Sequence, residues 1–384
     1  MTAVTPGDAV GLTRALVRID SRNPSLASGA PGERECAETL RGILDTWGFR
    51  TTLDDVADGR PNLVARIGDA RGGPTLMLNG HLDVVGTDGM THAPFAAEER
   101  GGLLYGRGSA DMKGGIAAMC AGAWHAANRG VRGEVIIAAV ADEEYESCGT
   151  RALVERGVRA DGAIVTEPTQ LAIMPAHRGF VWVEIEVRGR AAHGSRWDIG
   201  VDAIRHAGLL LAELDRIDTD VLPERNHALL GHPSLHASFI GGGIGMSTYP
   251  DRCVIKLERR TIPGEHPSVV VAEIEAACRV VRARRSTFEA RVSLILAQAP
   301  SDVSVNAPIV EGLAAALRGE HQTVTIAGMS AWTDAALLNA AGIPAICFGP
   351  GDISLAHAAE EYVPLAEVER AAAVLAGLAR TWCS

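Results

Sequence analysis

Lysine is scarce in this sequence. Of its 384 residues, only Lys113 and Lys256 are lysines, and arginine supplies the other permanently positive side chains. Acidic residues outnumber basic ones, and the formal net charge is −11. A protein that binds nucleic acid or an anionic membrane through charge needs a basic surface. We therefore expect neither of these partners.

Cysteine pairs and long hydrophobic segments are also missing. The seven cysteines are scattered and include no CxxC pair, which argues against a disulfide framework and against a thiolate zinc site. No apolar run approaches the ~20 residues that a membrane-spanning helix needs. The first residues lack the basic start and apolar stretch of a signal peptide. We expect a cytoplasmic protein whose cysteines are reduced.

The residues that are present indicate a globular protein of two or three domains. Hydrophobic residues make up 47% of the chain and charged residues 22%, as in ordinary globular proteins. Short apolar runs alternate with segments of helical periodicity, which predicts an α/β fold with a mixed sheet and helices on both faces. The predicted strands are 62–67, 75–78, 134–140, 163–165 and 343–348. The predicted helices are 5–19, with Thr5 as its N-cap, and 32–47, 112–128, 151–156, 307–317 and 365–382.

The periodicity changes between residues 178 and 297. Here the predicted order is βαββαβ, which is typical of a small antiparallel sheet with helices on one face. The predicted strands are 181–187, 236–240, 252–259 and 288–296, and the predicted helices are 201–214 and 268–281. Because the earlier pattern resumes afterwards, we expect a first domain made of 1–177 and 298–384, with 178–297 inserted in it.

A histidine and an aspartate lie two residues apart after a predicted strand. In Asn79-Gly80-His81-Leu82-Asp83, residues i and i+2 of an extended segment project to the same side. His81 can bind a metal ion there while Asp83 orients its ring. Taken alone, a His-x-Asp pair is weak evidence of a site.

A glycine-rich turn, 106–110, leads through Asp111 into the predicted helix 112–128. Such a turn can bind phosphate, or Asp111 can simply cap the helix. The GxxxxGK[ST] spacing of a Walker loop is absent. Asp111 can instead bridge two metal ions with its two carboxylate oxygens.

Acidic residues and a histidine follow three further predicted strands. Asp142-Glu143-Glu144 follows the strand 134–140, Glu167 follows 163–165, and His357 lies beyond 343–348. Each of these segments could be an ordinary surface loop, although adjacent carboxylates repel one another unless a cation is nearby. Sites gather at strand ends of open α/β sheets. Imidazole and carboxylate ligands suit zinc, cobalt or manganese.

Together these motifs resemble one family over essentially the whole chain. It comprises the di-zinc metallopeptidases and deacylases that include acetylornithine deacetylase, succinyl-diaminopimelate desuccinylase, aminoacylase and glutamate carboxypeptidase. The resemblance implies a catalytic domain, an inserted lid and dimerisation domain, and a homodimer formed through that insert. It also implies two divalent metal ions, with zinc first and cobalt or manganese as alternatives, and a cis peptide bond between Asp111 and Met112.

The resemblance implies which residues hold each metal ion, with Asp111 shared between them. One ion would be bound by His81, Asp111 and Glu167. The other would be bound by Asp111, Glu144 and His357.

Five further residues have roles that the resemblance implies. Glu143 would be the general base for a metal-bridged hydroxide, and Asp83 would orient a histidine ligand. In the inserted domain, His193 would reach across a dimer to stabilise the oxyanion, and Arg260 would bind the substrate carboxylate. Ser247 stands where the family usually has asparagine, which offers a donor and an acceptor on a longer arm. The substrate contact at this position is therefore expected to differ.

These roles imply a metallo-amidohydrolase of amino-acid metabolism that cleaves the amide bond of an N-acyl amino acid. Segments 349–352 and 356–362 resemble the acetylornithine deacetylase branch most. A dipeptidase or carboxypeptidase is the alternative, because it shares the acidic and glycine-rich motifs. The carbamoyl-amidohydrolase branch carries its bridging aspartate in a different setting from 109–113. A non-catalytic binding protein on the same scaffold is a remote alternative, since no ligand and no base is missing here.

Overall fold

A computed structural model describes residues 4–69 and 72–384. Its α-helices are, in chain order, α1 (Ala9–Val17), α2 (Arg34–Thr46), α3 (Gly114–Asn128), α4 (Cys148–Glu155), α5 (Ala203–Arg216), α6 (Pro267–Arg284), α7 (Pro308–Gly319), α8 (Ala335–Ala340) and α9 (Leu365–Trp382). Its strands are β1 (Arg50–Ala57), β2 (Arg60–Gly68), β3 (Thr75–His81), β4 (Glu98–Arg100), β5 (Leu103–Tyr105), β6 (Glu134–Val140), β7 (Gly162–Val165), β8 (Ile173–His177), β9 (Gly179–Arg188), β10 (Ser234–Gly242), β11 (Arg252–Thr261), β12 (Glu289–Gln298), β13 (Ser301–Asp302), β14 (Ile326–Met329), β15 (Ala345–Cys347) and β16 (Tyr362–Pro364).

The chain forms two compact units. The larger unit comprises Met1–Pro175, Val303–Met329 and Thr333–Ser384, and the smaller comprises Ala176–Asp302 with Ser330–Trp332. The smaller unit extends beyond both ends of the inserted segment 178–297 that we predicted from the sequence. The indole of Trp332 explains the extra piece, because its Nε1 donates a hydrogen bond to the carbonyl of Ala299 at 3.0 Å.

The large sheet is mixed, with the strand order β1-β2-β6-β3-β7-β15-β8-β13, and β14 pairs with β8 off this path. Strand β3 pairs in parallel with β6 and β7, and β7 pairs in parallel with β15. Strands β1, β2 and β8 join by antiparallel pairing. Helices flank this sheet, with α3 packed against α9 and α4 packed against α8. The predicted mixed-sheet α/β architecture is confirmed.

The central strands are buried on both faces. Strand β6 is buried along its whole length. Val135, Ile137 and Ala139 belong to the core that also contains Ile116 of α3 and Leu375 of α9. The alternate residues of β6 point to the opposite face and are equally buried. This double burial accounts for the continuous apolar sequence of the strand.

The smaller unit has the predicted βαββαβ order, β9-α5-β10-β11-α6-β12, in a separate antiparallel sheet. The strand order is β10-β11-β9-β12, so β10 and β12 are the edges. The alternating apolar residues of β9, such as Val183 and Ile185, pack against Leu210 of α5 and Ile274 of α6. The period of two in this segment therefore reflects a sheet with one face covered by helices.

Helix α1 starts later than the sequence suggested. The predicted N-cap Thr5 is wrong, because Asp8 occupies that position and its carboxylate accepts a hydrogen bond from the Gly11 backbone N–H at 2.8 Å. Strand β1 was missed, because half-exposed polar residues dominate it and leave no clear apolar alternation. Within residues 4–69 and 72–384, no helix is long and apolar enough to cross a membrane.

Candidate metal centre and its surroundings

The structure brings the five predicted metal ligands together in the larger unit. His81 is the last residue of β3, Glu144 follows β6, Glu167 follows β7, and His357 lies in the loop after β15. Asp111 lies in the distorted turn before α3. Because the four strands are parallel neighbours, their carboxyl ends meet at one edge of the sheet.

The two carboxylate oxygens of Asp111 face two different histidines. Its Oδ1 lies 3.0 Å from Nε2 of His81, and its Oδ2 lies 3.8 Å from Nε2 of His357. Nε2 of His357 also lies 2.9 Å from Oε2 of Glu144. The peptide bond between Asp111 and Met112 is cis, which confirms that expectation.

The imidazole of His81 indicates that a positive charge belongs in this cluster. Its Nδ1 lies 2.9 Å from the carbonyl oxygen of Asp83, and a carbonyl can only accept, so Nδ1 carries a proton. In the neutral ring, Nε2 then presents a lone pair to the Asp111 oxygen 3.0 Å away. Burial opposes protonation of His81, but the hydrogen bond and charge of Asp111 outweigh it and raise the pKa well above its usual value. A proton or a metal cation at Nε2 would remove the repulsion between this lone pair and the Asp111 oxygen.

Crowded, buried carboxylates point to the same need for cations. Burial raises the pKa of Glu143 and of Glu167 well above the usual value, and neighbouring carboxylates add to the effect. Burial and the charge of Asp111 also raise the pKa of Glu144. The hydrogen bond to Glu144 raises the pKa of His357 to about 9. The glutamate shifts come first from burial and then from neighbouring negative charge, and a cation in the cluster would oppose both effects.

The donor set fits divalent metal ions. Two groups of three potential ligand atoms lie within 4.8 Å of one another: His81 with Asp111 and Glu144, and His81 with Glu143 and Glu167. Nitrogen and carboxylate oxygen donors in this arrangement suit zinc, cobalt or manganese. These geometric groups share His81, whereas the resemblance makes Asp111 the shared ligand. They also admit Glu143 as a ligand, which the resemblance assigns as the base.

Asp83 holds two parts of the cluster in place, the ring of His81 and the acidic loop after β6. Its carbonyl oxygen, and not its carboxylate, holds the His81 ring, since the carboxylate lies 3.7 Å from Nδ1. The carboxylate instead accepts hydrogen bonds from the backbone N–H groups of Glu143 and Glu144, each at 3.2 Å. It also accepts one from the side-chain amide of Asn23 at 2.8 Å. Asp83 therefore fixes both the histidine and the acidic loop beside it.

A buried ion-pair network supports the same acidic loop from behind. Asp142 accepts from the guanidinium of Arg60 at 2.6 Å and from Asn23 at 3.1 Å. Arg60 also pairs with the fully buried carboxylate of Glu33 at the start of α2. These partners could not be predicted, because the residues are separated by 27 to 119 positions along the chain.

Another buried acid near the cluster was also not predicted. Asp334 is 1% exposed, and burial raises its pKa to about 6. Its Oδ2 accepts a hydrogen bond from the Thr150 hydroxyl at 2.6 Å. The charge of Asp334 also raises the pKa of Glu143 and of Glu167.

His193 and Ser247 lie together in the smaller unit. Backbone N–H of Gly194 donates to the carbonyl of Ser247 at 2.7 Å, and His193 forms a β-bridge with Thr248. Nδ1 of His193 accepts from the backbone N–H of Ser195 at 3.2 Å. Because that N–H can only donate, the neutral imidazole carries its proton on Nε2. The exposed His193 therefore presents a hydrogen-bond donor at Nε2.

Arg260 lies elsewhere in the smaller unit, on β11. Its Nε donates to Glu258 at 2.6 Å, and its guanidinium carbon lies 5.5 Å from the ring centroid of Phe180. Arg178 is a second positive charge close to Arg260. Burial lowers the pKa of the Arg178 guanidinium, and the charges of Arg260 and Arg259 lower it further. Arg260 is thus half-buried and held in place by its neighbours.

Comparison with known proteins adds four findings. The model of peptidase family M20/M25/M40 matches residues 77–381. The acetylornithine deacetylase of Myxococcus xanthus is 33% identical over 335 residues, which are 86% of each chain. A probable succinyl-diaminopimelate desuccinylase of Staphylococcus epidermidis is 27% identical over 398 aligned positions and covers 94% of this chain and 95% of its own. The fold is similar to that of the aminopeptidase PepT from Bacillus cereus, with a TM-score of 0.82, 20% identity and full coverage of both chains.

Proposed function

The chain belongs to peptidase family M20/M25/M40 and is a metallohydrolase of linear amides, and on that premise we propose that it deacylates an N-acyl amino acid. The observation that carries the proposal is the position of Asp111, whose two oxygens face His81 and His357. A carboxylate in that position is suited to bridge two metal ions. The identity to an acetylornithine deacetylase supports the deacylase over the peptidase.

Two divalent cations, with zinc first and cobalt or manganese as alternatives, would be held by the ligands that the resemblance implies. One would bind His81, Asp111 and Glu167, and the other Asp111, Glu144 and His357. Bound there, they supply Lewis acidity, which lowers the pKa of water and polarises the substrate carbonyl. The crowding of these buried carboxylates, where the charge of Asp111 raises the pKa of both Glu144 and Glu167, supports the presence of the cations.

Glu143 acts as the general base and then as the general acid. Its carboxylate accepts a proton from the attacking water as the water oxygen bonds to the acyl carbon. The same proton passes to the amide nitrogen as the carbon–nitrogen bond breaks, which releases the acid and the free amino acid. The backbone hydrogen bond from Glu143 to Asp83 fixes the position of this loop.

His193 and Arg260 contribute from the smaller unit, which we propose as lid and dimerisation domain. His193 of one subunit donates from Nε2 to the oxyanion in the site of its partner. The hydrogen bond from Ser195 to Nδ1 supports this tautomer. Arg260 pairs with the carboxylate of the substrate. Ser247, where related enzymes usually have asparagine, contributes a shorter polar arm.

A homodimer through the smaller unit is part of the proposal. Strand β10 is a sheet edge and exposes Phe239 and Ile240, at 51% and 47%. Exposed apolar side chains on an unpaired edge favour association with another strand. We further propose a cytoplasmic location, which the seven free cysteines support.

A substrate panel tests the proposed reaction. Purified protein loaded with zinc or cobalt is assayed against N-acetyl, N-succinyl and N-formyl amino acids and against dipeptides. We expect turnover of an acylated amino acid. Turnover of dipeptides alone would instead assign the chain to the peptidases of the family. No turnover by protein carrying two metal ions would contradict both assignments.

Replacing Arg260 by glutamine tests the carboxylate contact. We expect the KM for an N-acyl amino acid to rise by about ten- to a hundredfold, because a hydrogen bond to a charged group contributes about 1.5–3 kcal/mol. Arg252→Gln is the matched control, since Arg252 lies on the same strand, is exposed and pairs with Glu186. Equal KM values for the two variants would remove Arg260 from the binding site.

A further inference from the structure

Glu361 is a fully buried carboxylate whose two oxygens are both hydrogen-bonded. Its Oε2 accepts from Nη1 of Arg107 at 2.6 Å and from the Gly108 backbone N–H at 3.1 Å. Its Oε1 accepts from the backbone N–H groups of Ala110 and Asp111, at 3.0 and 3.2 Å. Glu361 therefore accepts from three backbone N–H groups of a single turn and from one guanidinium.

The backbone that Glu361 holds is irregular and needs such a partner. Asp111 has φ −121° and ψ 94°, and Met112 has φ −135° and ψ 36°, which are not helical values. Buried N–H groups outside regular structure must find acceptors elsewhere. Gly108 has φ +81°, and a Cβ there would lie 2.5 Å from Val84. The turn is thus fixed by close packing on one side and by the Glu361 carboxylate on the other.

Glu361 connects two of the proposed ligands. It lies four residues after His357, and it accepts from the N–H group of Asp111 itself. Arg107, 2% exposed, balances its charge and also donates to the carbonyl of Ala358 at 3.3 Å. The buried ion pair of Arg107 and Glu361 therefore connects the loop that contains His357 with the turn that contains Asp111.

We propose that Glu361 is a positioning residue for the metal pair, because it holds Asp111 with its two carboxylate oxygens towards His81 and His357. The inference rests on the proposed function, in which Asp111 bridges the two ions. Residues that orient ligands in this way typically account for ten- to a hundredfold in metal affinity. Because Asp111 belongs to both proposed ligand sets, loss of Glu361 weakens the binding of both ions.

Glutamine is the informative replacement for Glu361. It has nearly the same size, but its amide has one acceptor oxygen where the carboxylate has two. The NH₂ group must then face either Arg107 and Gly108 or Ala110 and Asp111, all of which are donors. Glu361→Asp is a second variant, which keeps the charge beside Arg107 but shortens the arm by one methylene.

The experiment compares the wild type with Glu361→Gln and with the matched control Glu360→Gln. Glu360 is exposed and adjacent, so the control makes the same chemical change outside the buried turn. Zn²⁺ affinity is measured by competition with a chelator, and the visible spectrum is recorded after loading with Co²⁺. For Glu361→Gln we expect both Zn²⁺ affinities to fall by about ten- to a hundredfold and the Co²⁺ spectrum to change. Glu360→Gln should match the wild type.

The outcomes separate the inference from the proposed function. A wild type that binds fewer than two ions would refute the two-metal function. Wild-type affinities and an unchanged Co²⁺ spectrum in a folded Glu361→Gln variant would overturn the positioning role. If that variant does not fold, Glu361→Asp takes its place. Weaker binding of both ions then supports the role, and wild-type binding overturns it.

Discussion

Alanine in place of Glu143 is expected to lower kcat by about 10²- to 10⁴-fold and to leave both metal ions bound, because removal of a general base costs about this much. Glu143 is well placed for that task. Its Oε2 lies 4.0 Å from Nε2 of His81, and its side chain is 10% exposed. Its backbone is fixed by the carboxylate of Asp83, so the loop stays in place when the side chain is removed.

The same variant distinguishes a base from a ligand. Glu143 lies within ligand distance of His81 and Glu167, so geometry alone permits it to bind metal. If it were a ligand, Glu143→Ala would lose an ion as well as activity. Metal content is measured by mass spectrometry beside the kinetics, under the same loading conditions.

Glu146→Ala is the matched control for this experiment. Glu146 lies in the same loop but is exposed, so its removal should change neither kcat nor metal content. A Glu143→Ala variant that turned over at the wild-type rate would exclude Glu143 as the base. A similar loss in both variants would indicate disruption of the loop instead.

The strand-end ligands were predictable because local sequence specifies where a buried strand ends. The apolar run before His81 and the apolar run before Glu144 each predict a strand from the local sequence alone. Parallel pairing then places their ends together without any knowledge of side-chain contacts. For this reason the sequence could identify four strand-end ligand candidates that the structure brings to one place. The fifth candidate, Asp111, lies in the turn before α3.

The residues that hold those ligands could not be found in the same way. Glu361 lies 250 positions from Asp111, and Asn23 lies 60 positions from Asp83. Hydrogen bonds over such separations depend on tertiary packing, which leaves no periodic signal in a single sequence. The carboxylate of Asp83 shows the same limit, since its backbone partners become visible only when two strand ends meet.

Boundaries of the sheet were also hard to predict where burial is partial. The edge strand β1 alternates between exposed and half-exposed positions, so hydrophobicity does not mark it. Strand β9, by contrast, buries every second residue against helices, and its pattern was clear. Hydrophobicity therefore marked strands that bury one or both faces and missed the strand that buries neither.

Alanine in place of His81 is expected to remove bound metal and abolish activity. His81 is 1% exposed, and it belongs to both groups of potential metal ligands. Loss of a direct ligand should weaken metal binding by more than the ~10- to 100-fold that outer residues cost. Metal content after dialysis and kcat in the presence of added Zn²⁺ measure the two effects.

Loss of metal should also destabilise the protein. Metal ions that bind only the folded state stabilise it by about 2.7 kcal/mol when their free concentration is 100 times Kd. Without them, Glu144 and Glu167 remain close together, and burial and the charge of Asp111 raise the pKa of both carboxyls. We therefore expect a chelator to lower the unfolding temperature of the wild type markedly and that of His81→Ala only slightly.

His125→Ala is the matched control for His81→Ala. His125 is exposed near the end of α3, so its replacement should leave metal content, activity and the response to chelator unchanged. If His81→Ala retained two ions and the wild-type response to chelator, the metal centre could not lie at the carboxyl end of β3. If chelator left the unfolding temperature of the wild type unchanged, metal binding would not be coupled to folding at this site.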